Sequence, residues 1–403
     1  MNEREGPANI LFVHSSDELY GSDRVLLELV RRLDRNRFTP LVAVPCDLPY
    51  QGHLSAALTE AGVRCLRVDM GVLRRRYFGW RGIGLYAWRL GLGAIRVMRL
   101  IRREGVALVH SNTGAVWAGA LAARLARRPH VWHIHEIVTR PVAVRRAIAW
   151  MATRLSCRVV AISQAVRDHL TTDAPAYANR ITVIPDAVDT ERFRPENDGA
   201  ALRRAWGVEP DDLLVGQVGR ISAWKGQEDF LAAAAQVAAQ QTGVRFVVVG
   251  DVVPGEEDRL KRLQMQAAAQ GLGDRVIWAG FRADTPQVMA ALDLLVLPSR
   301  QPEPFGMVLL EAMATGKPVI ATDHGGPREI VVPGETGILV PPGEPTALAG
   351  AIMELTRHAT LRQQMGAAAR ARAERSFGLI PYVSAFEALY GELLATSSHQ
   401  RPR

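Results

Sequence analysis

Two glutamates, Glu303 and Glu311, stand eight positions apart in the segment "RQPEPFGMVLLEAMATGKPVIA" at residues 300–321. On one continuous helix, eight residues correspond to about 12 Å of rise and roughly 80° of rotation, so the two carboxylates could not hold a single atom together. They suit different parts of one long ligand. Pro304 fits the first turn of a helix that begins near Phe305, which would leave Glu303 in the loop before it.

The start of this predicted helix has the properties of a phosphate site. A helix N-terminus carries a positive dipole end and exposed N–H groups, here those of Phe305, Gly306, Met307 and Val308. Glu311, two turns along, can accept hydrogen bonds from hydroxyl groups, and Glu303 can do so on the other side of the phosphate. The pattern favours a sugar nucleotide, although either glutamate alone would more simply be a cap or a helix-surface residue.

Two cations follow an earlier apolar run. The segment "GRISAWKGQ" places Arg220 and Lys225 between the end of a predicted strand and the next helix, within reach of a diphosphate. Lysine is rare in this chain, at three of 49 basic residues. A lysine at this position therefore suggests a role for a compact ammonium charge that an arginine would not fill. A capped and solvated helix start is the alternative.

Near the N-terminus, Gly21 in "HSSDELYGSDR" would let a ligand approach the backbone at another helix start, or would form an ordinary turn.

Apolar runs alternate with helical patterns along the whole chain, which predicts α/β architecture with parallel sheets. The first series is "NILFVHS", "PLVAVP", "VRCLRV", "VALVHS", "HVWHIHE", "CRVVAIS" and "RITVIP". A second series follows a Pro- and Asp-rich linker near residues 185–200: "DLLVGQVGR", "VRFVVVGD", "DRVIWAGF", "DLLVLPS", "KPVIATD" and "TGILVPP". We therefore predict two Rossmann-like domains facing across a cleft, at residues 1–190 and 191–375, and a helical segment at 376–403 that returns to the first domain.

Composition and missing motifs exclude several classes of protein. A hydrophobic content of 48% excludes a disordered chain, and the three cysteines show no metal-ligand spacing. No signal peptide and no run of 18 apolar residues is visible, so the sequence predicts a cytoplasmic protein without a transmembrane helix. Neither a G-x-G-x-x-G after a strand nor a P-loop occurs, which argues against dinucleotide enzymes and P-loop NTPases. No D-x-D pair is present, and we expect neither a metal nor another cofactor.

Positive charge is concentrated in the first half of the chain. Residues 1–190 hold 27 arginines and 16 acids, a net charge of 27 − 16 = +11, whereas the remaining residues hold 22 basic and 25 acidic side chains, 22 − 25 = −3. Within residues 73–103, nine arginines and no acid stand beside Tyr77, Phe78, Trp80, Tyr86 and Trp88. If 84–103 is a helix, its arginines form a stripe beside exposed aromatics, which favours an anionic membrane surface as partner. A helix packed on its sheet, with arginines facing water, is the alternative.

Taken together, the motifs resemble those of the retaining GT-B glycosyltransferases of family 4. "EPFGMVLLE" is similar to the E-x7-E motif of that family, and "GRISAWKGQ", "GKPVIATDHGGPREIV", "GETGILVPPG" and "YGSDRVLLELVRRL" resemble its other characteristic segments in the same order. The resemblance covers most of the chain and is strongest over residues 213–345. One departure is Asp186 followed by Ala187, where the family often has asparagine and glycine.

The resemblance implies a metal-independent transferase that moves a sugar from a UDP-, GDP- or similar sugar nucleotide to an acceptor. By resemblance, Gly21 approaches the donor phosphate, Arg220 and Lys225 neutralise the diphosphate, Glu303 contacts the donor sugar and Glu311 the ribose. The histidine that ends "HVWHIHE", His135, would line the donor-sugar pocket, with His133 as a rival; either could instead be a core residue.

Family members bind the acceptor with the first domain, so the basic first half suggests a lipid-linked or otherwise anionic acceptor from a cell-envelope glycan, taken at the inner face of the membrane. Two other functions stay open from the sequence. A GT-B sugar-nucleotide epimerase would share the fold and the nucleotide site. A nucleic-acid-binding protein would explain the basic half, but no nucleic-acid-binding motif is visible, and we predict no nucleic-acid partner.

Overall fold

The computed structural model describes residues 6–74, 77–252 and 256–399. The described chain forms two compact units. The N-terminal unit contains the residues up to Asp186 and those from Leu379 onward, and the C-terminal unit is Ala187–Gly378. Arg75 and Arg76, which belong to the predicted membrane segment, lie outside the described residues.

A parallel sheet forms the centre of the N-terminal unit. Its strands are β1 (Ala8–His14), β2 (Phe38–Val44), β3 (Arg64–Arg67), β4 (Leu108–Asn112), β5 (His130–Ile134), β6 (Arg158–Ala161) and β7 (Ile181–Val183). They lie in the order β3-β2-β1-β4-β5-β6-β7. The connecting helices are α1 (Gly21–Arg32), α2 (His53–Glu60), α3 (Trp80–Arg103), α4 (Trp117–Leu125), α5 (Val142–Leu155) and α6 (Gln164–Asp173), and a 3₁₀-helix spans Pro175–Arg180.

The C-terminal unit repeats this architecture. Its strands are β8 (Leu213–Val218), β9 (Val244–Val249), β10 (Val276–Gly280), β11 (Leu294–Leu297), β12 (Val319–Thr322) and β13 (Gly337–Val340), in the order β10-β9-β8-β11-β12-β13. Its helices are α7 (Ala200–Ala205), α8 (Gln227–Ala238), α9 (Glu257–Ala269), α10 (Thr285–Ala291), α11 (Met307–Ala314), α12 (Pro327–Ile330), α13 (Pro345–Arg357) and α14 (Ala359–Phe377), and a 3₁₀-helix spans Gly273–Arg275.

Both sheets arise from the apolar runs that predicted them. Each run named above forms a strand, and every strand pair within the described residues is parallel. Strands such as β1 are apolar at successive positions because helices cover both faces of the sheet. The prediction of two Rossmann-like parallel sheets is confirmed. Because parallel strands end at a common edge, polar residues that follow them are brought together there.

The last helix, α15 (Leu379–His399), packs on the N-terminal sheet. Phe386 and Tyr390 are fully buried on it, and the Tyr390 ring lies edge-on to Phe12 of β1. The Tyr390 hydroxyl lies 2.7 Å from Nδ1 of His110 on β4. Burying an aromatic side chain of this size contributes about 1.5–3 kcal/mol, so these contacts hold the helix firmly to the sheet.

Helix α3 differs in part from its prediction. It begins at Trp80, four residues before the predicted start. Tyr77 and Tyr86 were expected to be exposed, but they are buried, because their rings pack against each other and Tyr86 contacts Trp117 of α4. Trp88 is exposed as predicted. None of the described helices combines the length and the apolar composition needed to cross a membrane.

Candidate functional site

Glu303 lies in a loop that two glycines hold in place. The residue follows β11, is 3% exposed, and forms a short parallel bridge with Gly325. The Gly326 N–H donates to the Glu303 carbonyl at 2.8 Å. A Cβ at Gly325 would lie 2.3 Å from that carbonyl oxygen, and a Cβ at Gly326 would lie 2.3 Å from Cα of Phe305. The "HGG" that follows β12 is therefore what lets the loop close over the sheet edge.

Lys225 and Glu303 form an ion pair in this loop region. The Lys225 Nζ lies 2.6 Å from the Glu303 Oε1, and the two side chains are 16% and 4% exposed. The Ser299 hydroxyl donates to the same carboxylate oxygen. The Lys225 ammonium also sits 4.3 Å from the centre of the Trp224 ring. The sequence placed these two charges in separate motifs 78 positions apart, and the fold brings them into contact.

The segment that carries the two cations is anchored by side-chain amides. Gln217 donates from Nε2 to the Lys225 carbonyl at 2.9 Å, and Gln227 donates to the Arg220 carbonyl at 3.1 Å. Gly226 lies immediately before α8 with φ of 72°, and a Cβ there would lie 1.8 Å from the Pro298 carbonyl oxygen. The backbone is thus fixed at the end of β11, while the Arg220 side chain is exposed.

Helix α11 begins two residues later than predicted. Gly306, with φ of 113°, precedes the helix, whose first residue is Met307. The prediction that Pro304 lies in the first turn is wrong, because the bridge to Gly325 holds the backbone before Gly306 outside the helix. The N–H groups of Met307 and Val308 lie in the first turn, where the helix has no carbonyl group four residues earlier to accept from them. They can therefore bind a ligand. Glu311 lies in the second turn and is half-buried.

In the N-terminal unit, Gly21 begins α1 and is exposed. Asp23, two residues into the helix, is buried; its Oδ2 accepts the Tyr20 N–H at 2.8 Å, and its Oδ1 is hydrogen-bonded to Nε2 of His14 at the end of β1. The carboxylate therefore fixes the backbone just before Gly21 and connects it to the sheet edge.

A chain of buried polar side chains runs from this point to His135. We call it the histidine network; its members are His14, Asp23, Asn112, His133, His135 and Asp186. Asn112 lies 3.0 Å from His14 and 3.1 Å from Nε2 of His135, and His135 lies 3.2 Å from His133. The Nδ1 atom of His135 lies 3.5 Å from Asp186. Both rival histidines thus belong to one cluster, and neither is a simple apolar-core residue.

Burial and charge affect the histidines of this region differently. Desolvation by burial lowers the pKa of His133 and His110 well below the usual value, and neighbouring imidazoles lower it further. Burial also opposes the charged form of His135, but the charge and hydrogen bond of Asp186, together with the charges of Glu136 and Asp23, outweigh burial, so the pKa of His135 is raised. Desolvation lowers the pKa of His130 to about 3. Of these four histidines, only His135 is shifted toward its charged form.

Four members of the network were not predicted as site residues: His14, Asp23, Asn112 and Asp186. A signal was present in the sequence, because "VHS", "VHSN" and "HIHE" each end an apolar run with polar residues. The order β1-β4-β5 makes these three strands neighbours, so their carboxyl ends meet at one edge. That order could not be read from the sequence alone.

The predicted membrane segment exposes apolar side chains, but most of the arginines that the structure describes in it form ion pairs or hydrogen bonds. Ile83, Leu85 and Trp88 of α3 are 60%, 50% and 60% exposed. Among the arginines of the predicted stripe, Arg89 donates to the Tyr77 hydroxyl, Arg96 pairs with Asp69 and Arg103 pairs with Glu104. Arg74 is hydrogen-bonded to Asp47, Tyr50 and the Ser15 carbonyl, so its role is structural.

Comparison with known proteins decides the family. The family model "Glycosyltransferase Family 4" matches residues 20–192, and "Glycosyl transferases group 1" matches residues 199–372. The alpha-D-kanosaminyltransferase of Streptomyces kanamyceticus is 33% identical over 72% of this chain and 78% of its own length. The chain belongs to glycosyltransferase family 4. The lipopolysaccharide core biosynthesis mannosyltransferase LpsB of Rhizobium meliloti (strain 1021) is 30% identical over 64% of this chain and 73% of its own length.

A solved crystal structure matches this chain over nearly its whole length. The crystal structure of Anabaena Alr3699/HepE in complex with UDP and glucose has a TM-score of 0.82 and 30% identity, and the match covers 95% of this chain and 99% of that one. The predicted GT-B fold and the predicted enzyme class are therefore confirmed. The relatives are glycosyltransferases, and the function is glycosyl transfer rather than the epimerisation kept open from the sequence.

Proposed function

We propose that this family 4 enzyme transfers a sugar, with retention of configuration, from a nucleoside-diphosphate sugar to a lipid-linked or otherwise anionic acceptor of a cell-envelope glycan. The observation that carries the proposal is the Lys225–Glu303 ion pair four residues before the N-terminus of α11. It combines a cation, a carboxylate and a helix dipole at one place. HepE was crystallised with UDP, and LpsB acts in lipopolysaccharide core biosynthesis, which supports the donor and the acceptor class respectively.

In the proposed complex, the C-terminal unit binds the nucleotide. Arg220 and Lys225 bind the diphosphate together with the first-turn N–H groups of α11, and Glu311 accepts hydrogen bonds from the ribose hydroxyls. Glu303 accepts hydrogen bonds from the donor sugar. In the structure Glu303 is already paired with Lys225, so sugar and diphosphate would bind at two charges that are held in place before the ligand arrives.

The N-terminal unit supplies the other proposed contacts. Gly21 allows the phosphate to approach the start of α1, since a residue without a side chain leaves the backbone accessible. His135 lines the donor-sugar pocket from the end of β5. Its neighbours in the histidine network fix its ring, so it would meet the sugar without reorganisation.

The chemistry proposed for these residues is stabilisation of a leaving group. The bond between the sugar C1 and the diphosphate oxygen breaks, and its electron pair stays on the diphosphate. The acceptor hydroxyl oxygen forms the new bond on the same face of the sugar, and its proton passes to the departing diphosphate oxygen. Arg220, Lys225 and the α11 dipole stabilise the charge that develops on the diphosphate. Fixed charges of this kind can do the work of a metal ion, and we propose that the transfer needs none.

Thermal denaturation tests the donor proposal, because a ligand that binds the folded state raises the melting temperature. UDP, GDP and a panel of their sugar derivatives are added to the purified chain in EDTA. A rise with one nucleoside diphosphate, and a larger or equal rise with its sugar, supports the proposal. The best donor is then incubated with lipid extract, and the anomeric configuration of the product is read by NMR. If no nucleoside diphosphate stabilises the protein, the donor proposal is wrong.

We also propose that the N-terminal unit binds an anionic membrane surface through α3. Ile83, Leu85 and Trp88 provide apolar side chains that can enter the headgroup region. The net positive charge of the first half of the chain would draw it toward anionic lipid on the cytoplasmic side. This would place a lipid-linked acceptor next to the enzyme.

Co-sedimentation with vesicles tests the membrane proposal. We expect binding to vesicles with anionic lipid, weaker binding as salt increases, and loss of binding in Trp88→Ser. Ile380→Ser is the matched control, since Ile380 is 83% exposed on α15 of the same unit and is not part of the proposed surface. Equal binding to neutral vesicles, or equal loss in both variants, would rule out this surface and leave the transferase proposal intact.

A further inference from the structure

Asp186 faces the two histidines at the end of β5. It is the last residue of the N-terminal unit before the chain enters the C-terminal unit, and it is 3% exposed. Its Oδ2 lies 3.5 Å from Nδ1 of His135, and its Oδ1 lies 4.0 Å from Nε2 of His133.

The hydrogen-bond partners of His14 and His135 indicate which of their ring nitrogens carry a proton. The Asn112 amide nitrogen can only donate, so Nδ1 of His14 accepts from it and Nε2 of His14 carries the proton that is donated to Asp23. The Asn112 amide oxygen can only accept, so Nε2 of His135 carries a proton, which lies between this oxygen at 3.1 Å and Nδ1 of His133 at 3.2 Å. His135 therefore meets Asp186 through its other nitrogen, Nδ1.

A carboxylate and an unprotonated Nδ1 would both be acceptors. A buried pair of acceptors 3.5 Å apart has no hydrogen bond and is repulsive, whereas a proton on Nδ1 makes the contact a charge-assisted hydrogen bond. Burying Asp186 without a partner of opposite charge would also be costly. Both effects favour a His135 that is protonated on both nitrogens.

We propose that Asp186 is a positioning residue that holds His135 as an imidazolium, with Nε2 donating to Asn112 and Nδ1 donating to Asp186. The catalytic consequence rests on the proposed function. When Nδ1 of His135 is protonated, the imidazolium compensates the charge of Asp186 while an anionic donor binds, and the imidazole ring keeps one orientation. When Nδ1 is not protonated, the cluster presents an uncompensated carboxylate to the diphosphate.

The groups around His135 agree with a single positive charge in the cluster. His133 on β5 and His110 on β4 are fully desolvated, which keeps their pKa values low and both rings neutral. Glu136 accepts the His135 backbone N–H at 3.1 Å, and Asp23 acts from α1, so both carboxylates favour a cation at His135. On α15, burial and the charge of Asp186 raise the pKa of Tyr382 well above its usual value, so that hydroxyl is neutral.

The NMR spectrum of ¹⁵N-histidine-labelled protein tests the inference without any use of activity. The His135 signals are assigned by their loss in His135→Gln. At pH 7 in the wild type, we expect both ring nitrogens to be protonated. In Asp186→Asn, which keeps the shape and removes the charge, His135 should lose one proton at lower pH than in the wild type. Asp168→Asn is the control, because Asp168 is an acid of the same unit that lies outside the network and bonds Gln164.

The dependence of kcat on pH gives a second measurement. A raised pKa at His135 means that the imidazolium is lost as pH rises, so we expect kcat to fall on the alkaline side and this fall to move to lower pH in Asp186→Asn. If wild-type His135 has one protonated nitrogen at pH 7, the inference is wrong even if Asp186→Asn fails to fold. One equivalent of bound zinc that disappears in Asp186→Asn would also overturn it, since His133, His135 and Asp186 would then be metal ligands. The expected NMR spectrum in a protein without transferase activity would leave the inference standing and refute the proposed function.

Discussion

The Lys225–Glu303 ion pair allows a prediction about donor binding that depends on contact between the two side chains. In Lys225→Ala the Glu303 carboxylate, which is 4% exposed in the native pair, keeps the Ser299 hydrogen bond but loses its counter-charge. The uncompensated carboxylate then repels a diphosphate. Lys225→Ala should therefore weaken donor binding for two reasons. The diphosphate loses the positive charge of Lys225, and the Glu303 carboxylate repels it.

The size of the effect follows from the contact. A hydrogen bond to a charged group contributes about 1.5–3 kcal/mol. Since about 1.4 kcal/mol corresponds to a factor of ten, Lys225→Ala should raise the Kd for the nucleoside diphosphate by about 10- to 150-fold. Glu303→Ala should leave this Kd unchanged or lower it, because Lys225 no longer has a competing partner, while kcat falls through loss of the sugar contact. The double variant should bind more tightly than Lys225→Ala alone.

Isothermal titration with UDP or GDP, whichever stabilises the wild type, measures all four Kd values of this double-mutant cycle. Lys261→Ala is the control, because Lys261 is an exposed lysine of the same unit, 3.9 Å from Asp258. Equal Kd values for Lys225→Ala and the double variant would show that Glu303 does not act on the ligand through Lys225. A wild-type kcat in Glu303→Ala would refute its proposed contact with the sugar.

Three further predictions concern single residues. Glu311→Ala should raise the Kd for the nucleoside diphosphate by about 10- to 150-fold, and this loss should disappear with a ligand that lacks the ribose hydroxyls, measured by the same titration. His135→Ala should lower kcat while circular dichroism shows the fold retained; a variant that does not fold would instead identify a core residue. Gly226→Ala should lower the stability of the protein by about 1–3 kcal/mol in thermal denaturation, because its Cβ would meet the Pro298 carbonyl. Gly207→Ala, at a similar positive φ with open space around it, should cost less, and equal losses would show that backbone strain alone is responsible.

Some features of this protein follow from local sequence. The strands could be predicted because each is an apolar run of strand length bounded by polar turns. The division into two parallel sheets follows from the order of these runs. Arg220, Lys225, Glu303 and Glu311 could be selected because their motifs occur in a fixed order along the chain.

Other features required the tertiary structure, since they depend on which distant segments meet. The Lys225–Glu303 pair joins residues 78 positions apart, and Tyr86 is buried because α4 lies against α3. The late start of α11 is decided by Gly325, a residue beyond the helix that holds the preceding loop.

The histidine network shows the same division most clearly. Polar residues at the ends of apolar runs could be read from the sequence, and His135 was selected among them by resemblance. The sequence does not say that β1, β4 and β5 are neighbours or that Asp186, about fifty positions later, lies 3.5 Å from that ring. The residue types in the sequence determined which side chains can carry a proton. The packing of the strands decided which of these side chains share a proton in a hydrogen bond, because the charge of a buried group depends on partners within a few ångströms.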